Sequence, residues 1–133
     1  MVAPLAAHAA ALWAGLSLIL MLVLSVRVVR LRRKHGVALG HGDVPELAQA
    51  VRAFGNASEY LPAALVGLTV LALVGARPWF VHAAGLILVA GRAAHAVGLS
   101  RNSGASLPRA AGIVATWVAY ILLGVGLVFY AFP

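Results

Sequence analysis

The sequence predicts an all-α membrane protein, a bundle of four transmembrane helices, on three observations. Of its 133 residues, 63% are hydrophobic and only 10% are charged, and the mean hydropathy is +1.00. A chain this short cannot enclose so much apolar surface in one soluble core, so the bilayer must act as its solvent. A spanning helix needs about 20 largely apolar residues, and the apolar runs here, each bounded by Gly, Pro or basic residues, use most of the chain. The expected spans are residues 5–31, 46–75, 79–99 and 108–132, forming one membrane domain over residues 1–133.

Span one begins near Leu5 and ends in the basic run Arg30, Leu31, Arg32, Arg33, Lys34. The residues before Leu12 include His8 but no Lys or Arg, so they lack the positive region that opens a cleavable signal peptide, and span one is expected to be retained. Gly36, Gly40 and Gly42 then make a loop, with Asp43 and Pro45 placed to start the second helix. Span two is amphipathic in its first turns and purely apolar in its second half. Ala76, Arg77 and Pro78 leave room only for a tight turn, which makes spans two and three antiparallel neighbours. A polar stretch containing Ser103, Ser106 and Pro108 separates span three from span four.

The basic residues set the orientation. Arg27, Arg30, Arg32, Arg33, Lys34 and Arg52 surround the first loop, and Arg92, Arg101 and Arg109 surround the third, whereas the second loop has only Arg77. By the positive-inside rule loops one and three are cytoplasmic and both termini lie outside. The net charge of +7 is thereby accounted for by topology and contact with anionic lipid, with no nucleic-acid partner.

The absence of cysteine excludes disulfides, thiolate metal sites and a cysteine nucleophile, so thiol chemistry here would need a substrate's thiol. His8, His35, His41 and His82 have no metal-ligand spacing, and no metal is expected. Phosphate loops, paired carboxylates and a serine nucleophile elbow are also missing, and Ser103 and Ser106 read as loop residues. Trp13, Trp79, Trp117, Tyr120 and Tyr130 read as belt or packing aromatics.

Against that background the polar residues inside spans stand out. An acid within an apolar span costs roughly 2.5 kcal/mol or more unless it is paired or faces a wet cavity, so Glu59 needs a partner. Arg52, Asn56 and Glu59, at i, i+4 and i+7, share one stripe of helix two that is expected to point into the bundle. Arg92 and His95, at i and i+3, share a face of helix three toward the same side of the membrane. The residues alone leave two readings open. One is an internal ion-pair network, Glu59 with Arg52 or Arg92, that holds helices together. The other is a site for an anionic, carboxylate-bearing small molecule, favoured by one acid facing several arginines. Pro62 frees the Ser58 carbonyl, which either kinks the span or opens a polar pocket.

The segment from Arg52 through Asn56, Glu59 and Tyr60 to Pro62 resembles the MAPEG family pattern R-x-x-x-N-x-x-E-[Y/x]-x-P on the second of four spans. MAPEG stands for membrane-associated proteins of eicosanoid and glutathione metabolism. Tyrosine and proline placement looks most like the leukotriene C synthase branch. Gly91-Arg92-Ala-Ala-His95 and Arg30-Leu31-Arg32 are similar to motifs of the prostaglandin E synthase branch. Leu99, Ile113 and Ala110 depart from those branches at positions where relatives often carry tyrosines or a serine. The resemblance is therefore to a bacterial-type microsomal glutathione transferase.

That resemblance implies a homotrimer of four-helix subunits binding glutathione as cosubstrate between adjacent subunits near the cytoplasmic face. Arg52, Asn56, Glu59 and Tyr60 would hold it, Glu59 taking the amino end and Arg52 a carboxylate. Arg30 would take a second carboxylate, while Arg92 and His95 complete the polar wall. Arg109, with Arg101 as the fallback, would be the catalytic arginine that favours the thiolate. The implied activity is attack of that thiolate on a lipophilic electrophile entering from the bilayer, or reduction of a lipid hydroperoxide. The alternatives are a non-catalytic lipid-binding relative and a small multidrug-type exporter. The latter has its essential glutamate in span one, where this chain has no acid.

Overall fold

The computed structural model describes residues 5–102 and 104–132, so the loop reading of Ser103 lies outside the described residues. Four α-helices account for almost all of the described chain: α1 (Leu5–His35), α2 (Pro45–Leu73), α3 (Pro78–Arg101) and α4 (Leu107–Tyr130). Each is long and apolar enough to cross a membrane.

Helix starts and stops follow local chemistry. Pro45, Pro78 and Pro108 occupy the first turn of α2, α3 and α4, where a missing N–H leaves no intrahelical bond unmade. Gly36 and Gly75 end α1 and α2 in the left-handed region, at φ 64° and 81°. The N–H groups of Val37 and Ala76 donate five residues back to Arg32 and Leu71, both at 3.0 Å, which satisfies carbonyls that the helix end would otherwise orphan. The start of α2 differs from expectation. Asp43 does not cap it: that residue is itself at φ 56°, Val44 is the cap position, and no side chain caps the helix.

α1 runs further than the apolar count alone implies. At 31 residues it extends about 46 Å, well beyond a hydrocarbon core of about 30 Å, and its last turns carry the basic run into the headgroup region. Lys34 there lies 3.6 Å from Glu46 at the start of α2.

In the bundle α2 and α3 form the central pair. Each touches both outer helices, while α1 and α4 make no contact among the described residues. The core is built from small and aliphatic side chains, including Leu61, Leu68, Leu71, Val81, Ala84 and Leu88. Large apolar side chains such as Leu18, Ile19, Val125 and Phe129 instead project outward, 60% or more exposed, as expected where lipid is the solvent.

Glycines set the closest approaches. The Trp13 ring of α1 lies against Gly85 of α3, and its Nε1 donates to Nδ1 of His82 at 3.2 Å. On the other side α3 meets α4 through Gly91 and Gly98 facing Gly112 and the Arg109 backbone. This close α3–α4 seam brings the polar residues of the two helices within bonding distance.

Candidate functional site

The largest fully buried side chain is a charged one, Arg92, 1% exposed on α3. It lies nine residues before the end of α3, about 13 Å along the helix axis. Three neighbours meet its guanidinium. Nε donates to Thr116 Oγ1 at 2.7 Å, Nη1 to Asn56 Oδ1 at 2.7 Å, and Nη2 to the Gly112 carbonyl at 3.4 Å. Thr116 is held in place by donating to the same Gly112 carbonyl at 2.8 Å. The ring of Tyr60 lies 4.7 Å from the guanidinium carbon, a cation–π contact. No carboxylate touches Arg92 among the described residues, so its charge is met by neutral dipoles and a ring face.

Asn56 passes this arrangement outward. Its Oδ1 is occupied by Arg92, so its Nδ2 must face the other way, and it donates to Glu59 Oε2 at 3.4 Å. The second oxygen of Glu59 receives Arg52 Nη1 at 3.5 Å. The chain of contacts therefore runs Arg92, Asn56, Glu59, Arg52, from the bundle interior to the surface.

This arrangement corrects the reading of Glu59 as the buried charge. Its side chain is 55% exposed and that of Arg52 is 62% exposed. The i, i+4, i+7 stripe lies along the edge of α2, with only Asn56 turned inward. Arg92, from another helix, is the ionisable group inside. Glu59 and Arg92 are joined through Asn56 and do not form the direct ion pair considered from sequence.

Tyr60 is half-buried, and its carbonyl accepts the Tyr120 hydroxyl at 2.6 Å while the two rings meet edge to face. The α2 helix continues without a break through Pro62. Replacing Tyr120 with Phe keeps the ring contact and removes only the hydroxyl. Thermal unfolding in detergent should register a loss of about 1 kcal/mol, the usual size of a buried hydrogen bond in a membrane protein.

Two clefts open beside this network. One, of about 420 Å³, is lined by Asn56, His95, Ser106, Arg109, Ala110 and Ile113. The other, of about 320 Å³, includes Gln49, Arg52, Leu99, Asn102 and Arg109. Arg109 lies on the wall of both, partly exposed, tethered among the described residues only by Nη1 donating to the Gly104 carbonyl at 3.3 Å. Its guanidinium therefore has donors to spare beside both Arg52 and the Asn56–His95 pair.

Of the residues singled out from sequence, Arg52, Asn56, Glu59, Tyr60 and Arg92 form one network, and His95 and Arg109 border the adjoining cleft. Arg30 and Arg101 are elsewhere. Arg30 is exposed on α1 and lines a separate cleft with Arg27 and Glu46. Arg101 lies in the groove between α1 and α3. That position leaves Arg109, not the fallback, beside the network. Sequence reasoning missed Thr116 and gave Tyr120 only a packing role. The available signal was the spacing of Gly112, Thr116 and Tyr120 at i, i+4 and i+8, a small and polar stripe in an otherwise apolar span.

Comparison with known proteins adds two findings. The model of the MAPEG family matches residues 10–129. The inner membrane protein YecN of Escherichia coli K12 is 42% identical over 113 residues, covering 85% of this chain and 85% of that protein. YecN of a second Escherichia coli strain matches to the same extent.

Proposed function

The chain belongs to the MAPEG family, and from that premise we propose that it is a bacterial inner-membrane enzyme that binds glutathione and presents it as thiolate to lipophilic electrophiles. The family's name ties it to glutathione metabolism, and the named relative is an inner membrane protein. The observation that carries the reading is the charge pattern: Arg52 pairs with Glu59, Arg92 reaches that acid through Asn56, and Arg109 lies on the wall of two clefts that also include Asn56 or Arg52.

Glutathione complements that pattern. It carries two carboxylates and one ammonium, and ionising its thiol adds a third anion. Glu59, half-exposed and oriented by Asn56, suits the ammonium. Arg52 suits a carboxylate, and Arg109, loosely held and facing His95 across the cleft, suits the sulfur. A free thiol has a pKa near 8.5, so a guanidinium that lowers it by about one unit raises the thiolate fraction at neutral pH by about tenfold at most. The thiol proton passes to water. The sulfur lone pair then forms the new S–C bond as the leaving group departs, and the exposed aliphatic faces of the helices give a lipophilic electrophile access from the bilayer.

Arg30 takes part only if a second copy supplies it, because in this chain it lines a cleft on the α1 side of α2 while Arg52 faces α3 and α4. The flanks of α1 and α4, which do not meet among the described residues, are the surfaces through which three copies would join. We therefore include a homotrimer with shared sites in the proposal, the four helices over residues 1–133 acting as its single repeating domain.

The test is the ultraviolet absorbance of glutathione thiolate on mixing with detergent-purified protein. Wild type should generate thiolate. Arg109→Ala should bind glutathione but form up to about tenfold less thiolate. Glu59→Gln should fail to bind. If wild type neither binds nor ionises glutathione, the enzyme reading is wrong for this chain.

A further inference from the structure

We propose that the groove between α1 and α3, on the side where α3 ends, holds one anionic phospholipid of the adjacent leaflet. The chain has ten Lys and Arg residues against three Asp and Glu. Among the described residues, the ion pairs engage only Lys34, His35 and Arg52 on the basic side, with Glu46 and Glu59 as the acids. Arg27 and Arg101 therefore have no carboxylate among the described residues, yet both line the same cleft of about 430 Å³.

The position of Arg27 is what calls for an anion. It is half-buried within α1, where an unneutralised guanidinium is costly unless it reaches water or a headgroup. Among the described residues it makes one hydrogen bond, Nη2 donating to the Ser100 carbonyl at 3.3 Å in the last turn of α3. A guanidinium has five N–H donors, so most remain open. Ser100 and Arg101 close α3, which places both guanidiniums where the hydrocarbon gives way to headgroups. A phosphate bridging Arg27 and Arg101 would receive charge-assisted hydrogen bonds from each.

Away from the arginines the groove is aliphatic. Leu20, Leu24, Ala96 and Val97 line it, and Leu20 lies seven residues from Arg27, about 10 Å deeper along the helix. A small soluble anion would make no use of that length, whereas an acyl chain fills it. The groove opens sideways toward lipid, since Val23 and Val97 on its rims are 60% and 42% exposed. Two guanidiniums with no acid in the lining of this groove also disfavour a zwitterionic lipid, whose ammonium would meet like charge. This site is on the opposite face of α3 from Arg109 and shares no residue with the glutathione network, so either assignment stands without the other.

The experiment is native mass spectrometry of delipidated protein titrated with phosphatidylglycerol or with phosphatidylethanolamine, with inorganic phosphate as competitor. Wild type should retain one phosphatidylglycerol per subunit in preference to phosphatidylethanolamine, and phosphate should not displace it. Arg27→Gln with Arg101→Gln should lower that retention by about tenfold or more, given the usual contribution of a basic side chain to anionic lipid binding. Arg33→Gln with Lys34→Gln, which removes the same charge from the exposed end of α1, should change it less than twofold, about the scatter of such contacts. Ala93→Phe, which narrows the aliphatic part without touching a charge, should also reduce it. If the double variant does not fold, Arg101→Gln alone carries the test. Equal loss in the Arg33 and Lys34 variant, equal binding of the two lipids, or displacement by phosphate overturns the proposal. So does a change of oligomeric state in the double variant with lipid retention unchanged, which would make the groove a contact between copies.

Discussion

Replacing Arg92 with Met is expected to leave the bundle folded in detergent while weakening glutathione binding by about 10- to 100-fold. The two effects separate because they have different physical origins. A buried guanidinium is costly to desolvate, and removing this one leaves no unpaired charge behind, because Thr116, Asn56 and the Gly112 carbonyl are all neutral. Thr116 still has the Gly112 carbonyl as its acceptor. Asn56 loses more. With Oδ1 no longer held by Arg92, its amide is free to turn, and Glu59 loses the donor that orients it. Loss of an oriented hydrogen bond to a charged group amounts to about 1.5–3 kcal/mol, which is the expected range in affinity. Arg92→Lys should not rescue binding, because an ammonium cannot present the planar fork that spans Thr116 and Asn56 together. Calorimetric titration with glutathione, beside a thermal melt of each variant, checks both halves. Equal loss of stability and affinity would make Arg92 a packing residue only.

The largest loss of stability is expected from Gly112→Val. A β-carbon at Gly112 would come within 2.5 Å of both the Gly91 carbonyl oxygen and the His95 backbone nitrogen. Neither is the end of a flexible side chain, so α3 and α4 must move apart. That separation also breaks the 2.7 Å bond between Arg92 and Thr116. Overpacking a tight seam costs about 3 kcal/mol or more, and the melting midpoint in detergent should fall by about 10 °C or more. Gly124→Ala on the same helix is the matched control. Nothing lies within 4 Å of its β-carbon, and its midpoint should stay within about 2 °C of wild type, as for a surface substitution. Alanine and valine are both better helix formers than glycine, so a similar fall in both variants would place the loss outside the α3–α4 contact.

Much of the architecture was legible because it depends on short-range rules. Four apolar runs, prolines at three helix starts and an arginine-rich first loop are features of composition and spacing, and a bilayer converts them directly into spans. The relation of Arg52, Asn56 and Glu59 was legible for the same reason, as residues on one helix. What the spacing could not supply was depth and partnership between helices. The i, i+4, i+7 pattern places three residues on one stripe but not on which side of α2 that stripe lies, and two of the three proved exposed. Thr116 as the partner of Arg92 depends on the offset between α3 and α4, which Gly91, Gly98 and Gly112 set by close approach. The separation of Arg30 from Arg52 likewise depends on which flank of α2 each outer helix covers. Asp43 was misread because a turn can place an aspartate in the left-handed region as readily as at a helix cap.

The contacts of Arg92 also have a time order. Synthesis runs from the N-terminus, so α3 carries its guanidinium into the bilayer after Asn56 has been made but before Gly112 and Thr116 exist. Asn56 and the ring of Tyr60, both on the preceding helix, are thus the first partners that the nascent chain offers it. The short turn at Gly75, between Leu73 and Pro78, leaves α2 and α3 little chain by which to separate. The same asparagine that orients Glu59 in the finished protein is thus also the acceptor already synthesised when the Arg92 guanidinium arrives.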